Sequence, residues 1–553
     1  MALWTRPTDA SVSGGLDPAE SRAAAQPAAV AIHVTLVFLL AAEAAMFFPA
    51  LKGYWLADDF TWAREFFLYP WREIPRLFMG DWSRSIAQEY RPLWCISFVT
   101  DLTLWGASPL ALHVTSLLIH LAVCALLWCV AASVPGANRF AAPLALAFFV
   151  VMPNHAEPVA WISARGHVLV CVFILGAMVL LRRFQQRGGR LSYLGSLGCA
   201  VAAFATAETA VALPPLLLLR DIADAPRLDR RWPRTALAHV PFWALLAGYL
   251  GFRYAMFGML TRSITPTSLP TLIQNGYQPF LGIWSSVLGG FGGSRTGTAL
   301  HVLVPALLLI PFFIPAEGSL RRFARGLIFF AVLWPLVSTV VLLGARAPRH
   351  LYLAWIGMAI ALGLAGSRLL ASRRRVAWAG VAAIGLVLGL FGLGLRSRIA
   401  LFERNGRLSR ELDREVERAM ERASPDPRAL LVIIPEFPGQ AVHFWEYFYP
   451  DALNPPFRRS PPTVKILPSF ASCDCGPAEW KASNTEALAL LEDERASAIH
   501  LVLWDSQNSA FVTRVLSPSD FWAMGYASHD GALVRPRRPG TPEPTLRPAN
   551  GSG

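Results

Sequence analysis

From residue 28 onward the chain alternates long apolar runs with short links rich in Arg, Pro or Gly. The runs at 28–49, 110–134, 140–154, 166–181, 191–207, 209–219, 237–257, 300–315, 326–344, 351–367 and 376–395 predict membrane-crossing helices. About 20 apolar residues rising ~1.5 Å each match a hydrocarbon core of about 30 Å. Several runs are short and must borrow flanking residues, and Pro214-Pro215 predicts a kink in the sixth. The first 27 residues, rich in Ala, Ser and Pro, predict an unfolded cytoplasmic tail over 1–27. The run from Ala28 to Phe48 lacks a cleavage site and predicts an uncleaved helix rather than a signal peptide.

Beyond about 396 the pattern changes. Residues 402–422 are charged with helical spacing, and β-rich runs at 429–434 and 499–504 alternate with polar stretches. They predict a small C-terminal α/β domain over 396–535, followed by a disordered tail over 536–553 rich in Pro, Arg and Gly. No 34-residue helical repeat is present in that region. The expected fold class is an all-α polytopic membrane protein of about 11 transmembrane helices, covering 28–395, with this domain appended.

Composition supports the membrane reading. Of 553 residues 54% are hydrophobic and only 16% charged, with mean hydropathy +0.41, where a soluble protein carries about 25% charged residues. The net charge of +13 does not imply nucleic acid, because the Arg residues cluster between apolar runs. Five of the seven cysteines (Cys95, Cys124, Cys129, Cys171 and Cys199) lie in or beside apolar runs, as small hydrophobes do. Cys473 and Cys475 form a lone C-x-C with no second pair to complete a metal site, which leaves a structural or redox-labile role.

The Arg clusters also set the topology. The segment 92–105 is apolar but ambiguous. If it lies along the interface, the clusters at Arg182–Arg190, Arg227–Arg234, Arg321–Arg325 and Arg368–Arg375 all face the cytoplasm. If it crosses, every cluster faces outward. The first arrangement places the outer loop 50–109, the stretches 154–165, 258–299 and 345–350, and the C-terminal domain on the extracytoplasmic side. Those stretches hold the unusual polar residues.

The first outer loop contains Asp58-Asp59-Phe60, then Asp81-Trp82 and Tyr90-Arg91-Pro92-Leu93. Crowded like charges favour proton uptake by one of them, so either Asp58 or Asp59 is a candidate general base. A solvated loop acid or helix cap is the plainer alternative. Arg91, where the chain re-enters the interface, can hold a phosphate in a fork or merely snorkel. His155, Glu157 and Arg165 fall between two spans, Glu208 lies at an outward turn, and Arg349-His350 tops another span. Glu43, near the outer end of the first span, is expected to reach water, and Arg253 to snorkel. His155 and Glu157, spaced i and i+2, do not by themselves define a metal site, so no cofactor is required, and a divalent metal is possible but not indicated.

The order of motifs resembles the GT-C glycosyltransferases, most closely the O-mannosyltransferase branch that carries tetratricopeptide repeats, with its bacterial relatives. The matching pieces are WLADDF at 55–60, GDW at 80–82, YRPL at 90–93, Asp101 followed by LWGASPLALHVTSLLIH at 104–120, and HAEPVAWISARGHVL at 155–169. Looser matches are AETAVALPPLLLL at 207–219 and RHLYL at 349–353. The resemblance covers roughly 28–395 and implies a GT-C-like membrane domain in a bacterial inner (plasma) membrane. It implies that Asp58 or Asp59 is the catalytic base, that Arg91 and Arg165 contact a donor phosphate, and that His155 and Glu157 shape the pocket; Glu208, Arg349 and His350 join the donor-binding set. Three features depart from the branch: Ala207 stands where relatives often have Lys, His167 where many have Asp, and the repeats are replaced by the α/β domain.

The expected activity is inverting transfer of a sugar from a polyprenyl-phosphate donor to a hydroxyl on a protein, lipid or glycan acceptor. A transporter, flippase or polymerase of lipid-linked saccharides is the rival. Transporters place charges and broken helices at the midplane, often in inverted repeats, whereas here the charges gather at the outer mouth.

Cysteine labelling in intact cells tests the topology. Positions near Asp59, Asn154 and Ser472 should react from outside, and positions near Gln186 and Ala371 only after permeabilisation. External labelling near Gln186 would invert the assignment.

Overall fold

The computed structural model describes residues 18–80, 89–134, 137–224, 232–258, 295–314, 319–340, 348–434, 449–459, 464–468, 487–493, 495–525, 527–529 and 532–534. Asp81-Trp82, Cys473, Cys475 and the tail 536–553 lie outside the described residues. The chain divides into two compact units, one of Met1–Gly53 with Glu65–Arg404 and one of Tyr54–Arg64 with Asn405–Gly553.

The first unit is helical. Among the described residues, five helical stretches are long and apolar enough to cross a membrane: Val30–Lys52, Pro109–Ala132, Ile162–Arg187, Pro348–Leu370 and Arg374–Ala423. By the length and composition of these helices, the chain is a multi-pass membrane protein. Several of the other expected spans are shorter or interrupted. Ala141–Val150 has 10 residues and Arg190–Phe204 has 15. The stretch expected to span 326–344 is Leu320–Ile328, a π-helical turn Phe329–Leu333 and Trp334–Val340. Trp232–Phe257 is long, at 26 residues, but contains Pro241. Pro214-Pro215 does not kink a helix; the helix Leu213–Ala223 begins there with Pro at its start, where a missing N–H leaves no bond unmade. The first helix starts at Pro18, within the stretch expected to be unfolded.

The segment 92–105 forms the 14-residue helix Pro92–Trp105. At 1.5 Å per residue it measures about 21 Å, short of a ~30 Å core. Trp94, Cys95, Phe98, Val99 and Leu102 are buried, while Leu104 and Trp105 are exposed.

The helix Tyr352–Leu370 is the centre of the unit, with every residue from Tyr352 to Leu369 buried. Small residues make that possible. A Cβ on Gly363 would lie 2.5 Å from the Ala145 nitrogen and 2.7 Å from the Ala141 oxygen, and one on Gly357 would strike the Trp334 ring at 2.5 Å. Close backbone approach through Gly is how helices gain contact where lipid offers no hydrophobic drive. The Trp334 indole donates to the Leu353 carbonyl at 2.7 Å, and Asn138 donates to the Ser367 carbonyl at 2.8 Å. A buried polar knot lies among other helices of this unit. Asp221 accepts from His239 at 2.8 Å and from Gln185, and Arg182 pairs with Asp224 at 2.7 Å.

The second unit holds a four-stranded sheet of β1 (Ala429–Ile433), β2 (Lys465–Pro468), β3 (Ala498–Asp505) and β4 (Ala510–Leu516), in the order β2-β1-β3-β4. β1 runs parallel to β2 and β3, with Leu430 opposite Ile499, and β3 pairs antiparallel with β4. All five residues of β1 are buried, as expected of a central parallel strand covered on both faces. Leu430, Val432, Leu467, Leu491, Leu501 and Phe521 form part of its core. The expected domain start at 396 falls inside the continuous helix Arg374–Ala423, and the units divide at 404/405 within it.

Gly363→Ala must displace backbone, at a cost of about 1–3 kcal/mol. Gly385, with nothing within 4 Å of an added Cβ, should accept Ala without loss. Thermal unfolding of the detergent-solubilised variants checks the contrast, and equal midpoints would contradict this packing.

Candidate functional site

The Asp58-Asp59 pair lies in the second unit. Ala57 has φ +47°, a left-handed conformation that costs a non-glycine residue about 1–2 kcal/mol. The tight turn delivers Asp59 as the first residue of the helix Asp59–Phe66, where a carboxylate complements the helix dipole. Its Oδ2 accepts the Leu56 amide at 3.0 Å, and the side chain is 0% exposed. Asp58 is only half-buried. The two neighbours thus differ: Asp59 is wholly buried and closes the turn, while Asp58 is half-buried with its Oδ1 turned into the protein.

The rest of the unit grips this turn from positions far along the chain. Ser409 donates to the Trp55 carbonyl at 2.7 Å. The Tyr54 hydroxyl donates to Asp413 Oδ2 at 2.7 Å, and Arg458 holds the other Asp413 oxygen at 2.6 Å. Burial and the Asp413 charge push the Tyr54 phenol up, so it remains a donor. Asp451 accepts from Thr61 at 2.5 Å and from Arg64 at 2.6 Å. The Phe457 ring meets Phe60 edge-on at 5.0 Å and Trp55 at 5.4 Å. None of Ser409, Asp413, Asp451 and Phe457 was singled out from the sequence, because their partners lie more than 350 residues away.

In the first unit, the structure brings Arg91 and Glu208 together. Arg91 donates through Nε at 3.0 Å and Nη2 at 2.8 Å to Glu208 Oε2, while its Nη1 meets Glu89 at 2.9 Å. Arg253 approaches Glu208 Oε1 at 3.7 Å and is 2% exposed, so it does not snorkel. Burial opposes charge on both Arg91 and Glu208. For Arg91 the Glu208 and Glu89 carboxylates outweigh it and hold the guanidinium charged; Arg91 in turn holds Glu208 below the usual carboxylate range.

His155 and Glu157 part company. Glu157 pairs with Arg349, which lies over the Trp161 ring at 4.9 Å, and His350 meets His167 edge-on at 4.7 Å. His155 is fully buried, its ring 4.1 Å from Phe149 and 5.4 Å from His120. Burial and the neighbouring His120 hold it well below the usual histidine range. Glu43 does not reach water: it is 0% exposed and bonded to His120 at 2.5 Å. Among the described residues, Glu43, His120 and His155 form a group whose donor atoms are close enough together to hold a metal ion.

Arg165 departs most from expectation. It is 0% exposed, with Nη1 on Asp101 at 2.5 Å, Nη2 on the Leu112 carbonyl at 3.1 Å, Nε on the Ile162 carbonyl at 3.3 Å, and its plane over Phe98 at 4.5 Å. Thr115 donates to the other Asp101 oxygen at 2.9 Å. Instead of facing a donor phosphate, Arg165 is spent inside the fold, joining the segment after Trp161 to the helices Pro92–Trp105 and Pro109–Ala132. Asp101, read from the sequence only as part of a motif, is its counter-ion.

No family model matches the chain. Over 118 residues it is 30% identical to Protein O-mannosyl-transferase TMTC1 of Mus musculus and of Homo sapiens, covering 20% of this chain and 12% and 13% of those proteins. Identity to Tmtc1 of Drosophila melanogaster is 30% over 135 residues, 24% of this chain and 15% of that protein. The matched segment thus spans a small part of these curated relatives. Among solved structures, ArnT from Cupriavidus metallidurans bound to undecaprenyl phosphate has a TM-score of 0.45 at 13% identity, covering 90% of this chain and 96% of that one. Arabinofuranosyltransferase AftD from Mycobacteria has a TM-score of 0.46 at 14% identity, covering 86% and 36%. Over the segment matched to the curated relatives the chain is similar to protein O-mannosyl-transferases.

The buried Arg165–Asp101 pair yields a stability test. Arg165→Met leaves Asp101 uncompensated and should cost about 3–5 kcal/mol, whereas Arg165→Met with Asp101→Leu should recover much of it. Unfolding midpoints of the single and double variants check this. A mild single variant would mean that the pair is not structural.

Proposed function

We propose that the chain is a membrane glycosyltransferase that moves a sugar, with inversion, from a polyprenyl-phosphate donor to a hydroxyl acceptor on the extracytoplasmic side. The observation that carries this reading is the division of labour in the Asp58-Asp59 turn. A strained, heavily braced turn that buries Asp59 completely and keeps Asp58 half-buried beside it suits a positioned general base. The similarity to protein O-mannosyl-transferases supports sugar transfer to a hydroxyl, and makes a mannose-type donor and a protein acceptor the first to test.

In this mechanism Asp58, rather than Asp59, takes the proton from the acceptor hydroxyl as its oxygen attacks the anomeric carbon. The bond from that carbon to the phosphate oxygen breaks on the opposite face, and the electron pair leaves with the lipid phosphate. Arg91 and Arg349, partly exposed on the outer stretches, are candidates to stabilise that leaving charge. Each already faces a carboxylate, so the donor phosphate would compete with Glu208 and Glu157. Arg165 acts as a positioning residue through Asp101, with His155 and His350 as packing neighbours of the same outer stretches. Because the turn 54–64 is braced by the C-terminal unit, we assign that unit to holding the base and selecting the acceptor.

Asp58→Asn keeps the shape of the side chain but removes the base, and should lower transfer by ~10²–10⁴-fold. Asp59→Asn retains an oxygen for the Leu56 amide and should lose less. The assay is transfer from a lipid-linked sugar to acceptor by purified protein. Near-normal turnover of Asp58→Asn would overturn the mechanism.

A further inference from the structure

Glu43, His120 and His155 come from three elements of the first unit: the helix Pro18–Phe47, the helix Pro109–Ala132 and the turn Pro153–His155. All three side chains are 0% exposed, and one donor atom from each lies within 4.8 Å of the other two. Part of this cluster is explained by hydrogen bonding. His120 Nε2 meets Glu43 Oε1 at 2.5 Å, and its Nδ1 meets the Tyr352 hydroxyl at 2.5 Å. A buried Glu–His–Tyr chain is an adequate reason for those three groups.

It is not an adequate reason for the rest. Neither ring nitrogen of His155 has a partner with hydrogen-bond geometry among the described residues, and Glu43 Oε2 has none either. The Phe149 carbonyl acts on His155 as a weak acceptor at most. Unsatisfied polar atoms at such depth call for an unseen ligand. Cys124, one turn along from His120, places its Sγ 3.8 Å from His120 Nε2.

We propose that Glu43, His120 and His155 bind a divalent transition metal of the zinc type. The donor set decides the class. Two imidazoles and a carboxylate suit zinc, whereas calcium and magnesium take oxygen ligands. Tetrahedral zinc with bonds of about 2.0–2.1 Å sets its nitrogen and oxygen ligands roughly 3.3 Å apart. The present separations, from 2.5 Å to 4.8 Å, bracket that value, so small rotations of Glu43 and His155 would close the site. Tyr352 holds the far nitrogen of His120 and fixes the ring, as outer partners of metal-bound histidines do.

With all ligands buried, the site is structural. It staples the turn that leads to Glu157 onto the first helix and is independent of the transfer reaction proposed above.

The full-length protein, purified in detergent from zinc-supplemented cells and desalted, should retain about one zinc per chain by mass spectrometry. His155→Gln and Glu43→Gln should lose it, while His167→Gln, outside the cluster, should keep it. After chelation, Co²⁺ added to the wild type should give the visible bands of a tetrahedral site and raise the unfolding midpoint, with neither effect in His155→Gln. Wild-type protein that holds no stoichiometric metal and gives no cobalt bands would overturn the proposal, as would full zinc retention by folded His155→Gln. If His155→Gln does not fold, the wild-type zinc content and cobalt spectrum decide alone.

Discussion

A charge that the fold has removed from water must find its counter-charge within the protein, and in a membrane domain no solvent can take that role. The first unit is arranged around this constraint. Arg165 is satisfied by Asp101, Arg91 by Glu208 and Glu89, Arg349 by Glu157, and Asp224 by Arg182. Apart from Arg91 with its near neighbour Glu89, these pairs join elements distant in sequence, so they act as addresses that tell short or broken helices where to dock. Apolar packing alone would serve them poorly, since lipid tails are as apolar as Leu. The central helix Tyr352–Leu370 solves the remaining problem with glycines that admit its neighbours' backbones.

The same constraint separates binding groups from structural ones. An Arg with all three nitrogens bonded and no exposure, as Arg165 is, is held inside the fold. Arg91 and Arg349 are paired yet partly exposed, and in the proposed mechanism they would exchange a carboxylate for a ligand phosphate. Both kinds look alike in the sequence, since each is an Arg beside an apolar run. The carboxylates differ in the same way: Asp59 is wholly buried and accepts the Leu56 amide, whereas Asp58 is half-buried.

The C-terminal unit gives the proposed base its rigidity. Ser409, Asp413, Asp451 and Phe457 hold both ends of an eleven-residue stretch, Tyr54–Arg64, that carries a strained residue at Ala57. Strain of this kind persists only where the surroundings over-determine it. This is a physical reason for the α/β unit to enclose a segment from so far away in the sequence.

The sequence by itself determined much of this protein. Its apolar runs specified a polytopic helical domain, the change of pattern after 396 specified a small α/β domain, and motif order pointed to Asp58, Asp59, Arg91, Glu157, Glu208 and Arg349. These are properties of composition and of short spacing, which a linear reading can measure. Helix ends and span counts were less legible, because short helices such as Ala141–Val150 are held by tertiary contacts rather than by their own length. Only the tertiary structure decided the partners: Arg165 with Asp101 across 64 residues, Arg91 with Glu208 across 117, His120 with Tyr352 across 232, and Tyr54 with Asp413 across 359. A side chain's role depends on what faces it and on whether water can reach it, and both are set by chain segments that meet only when the protein folds.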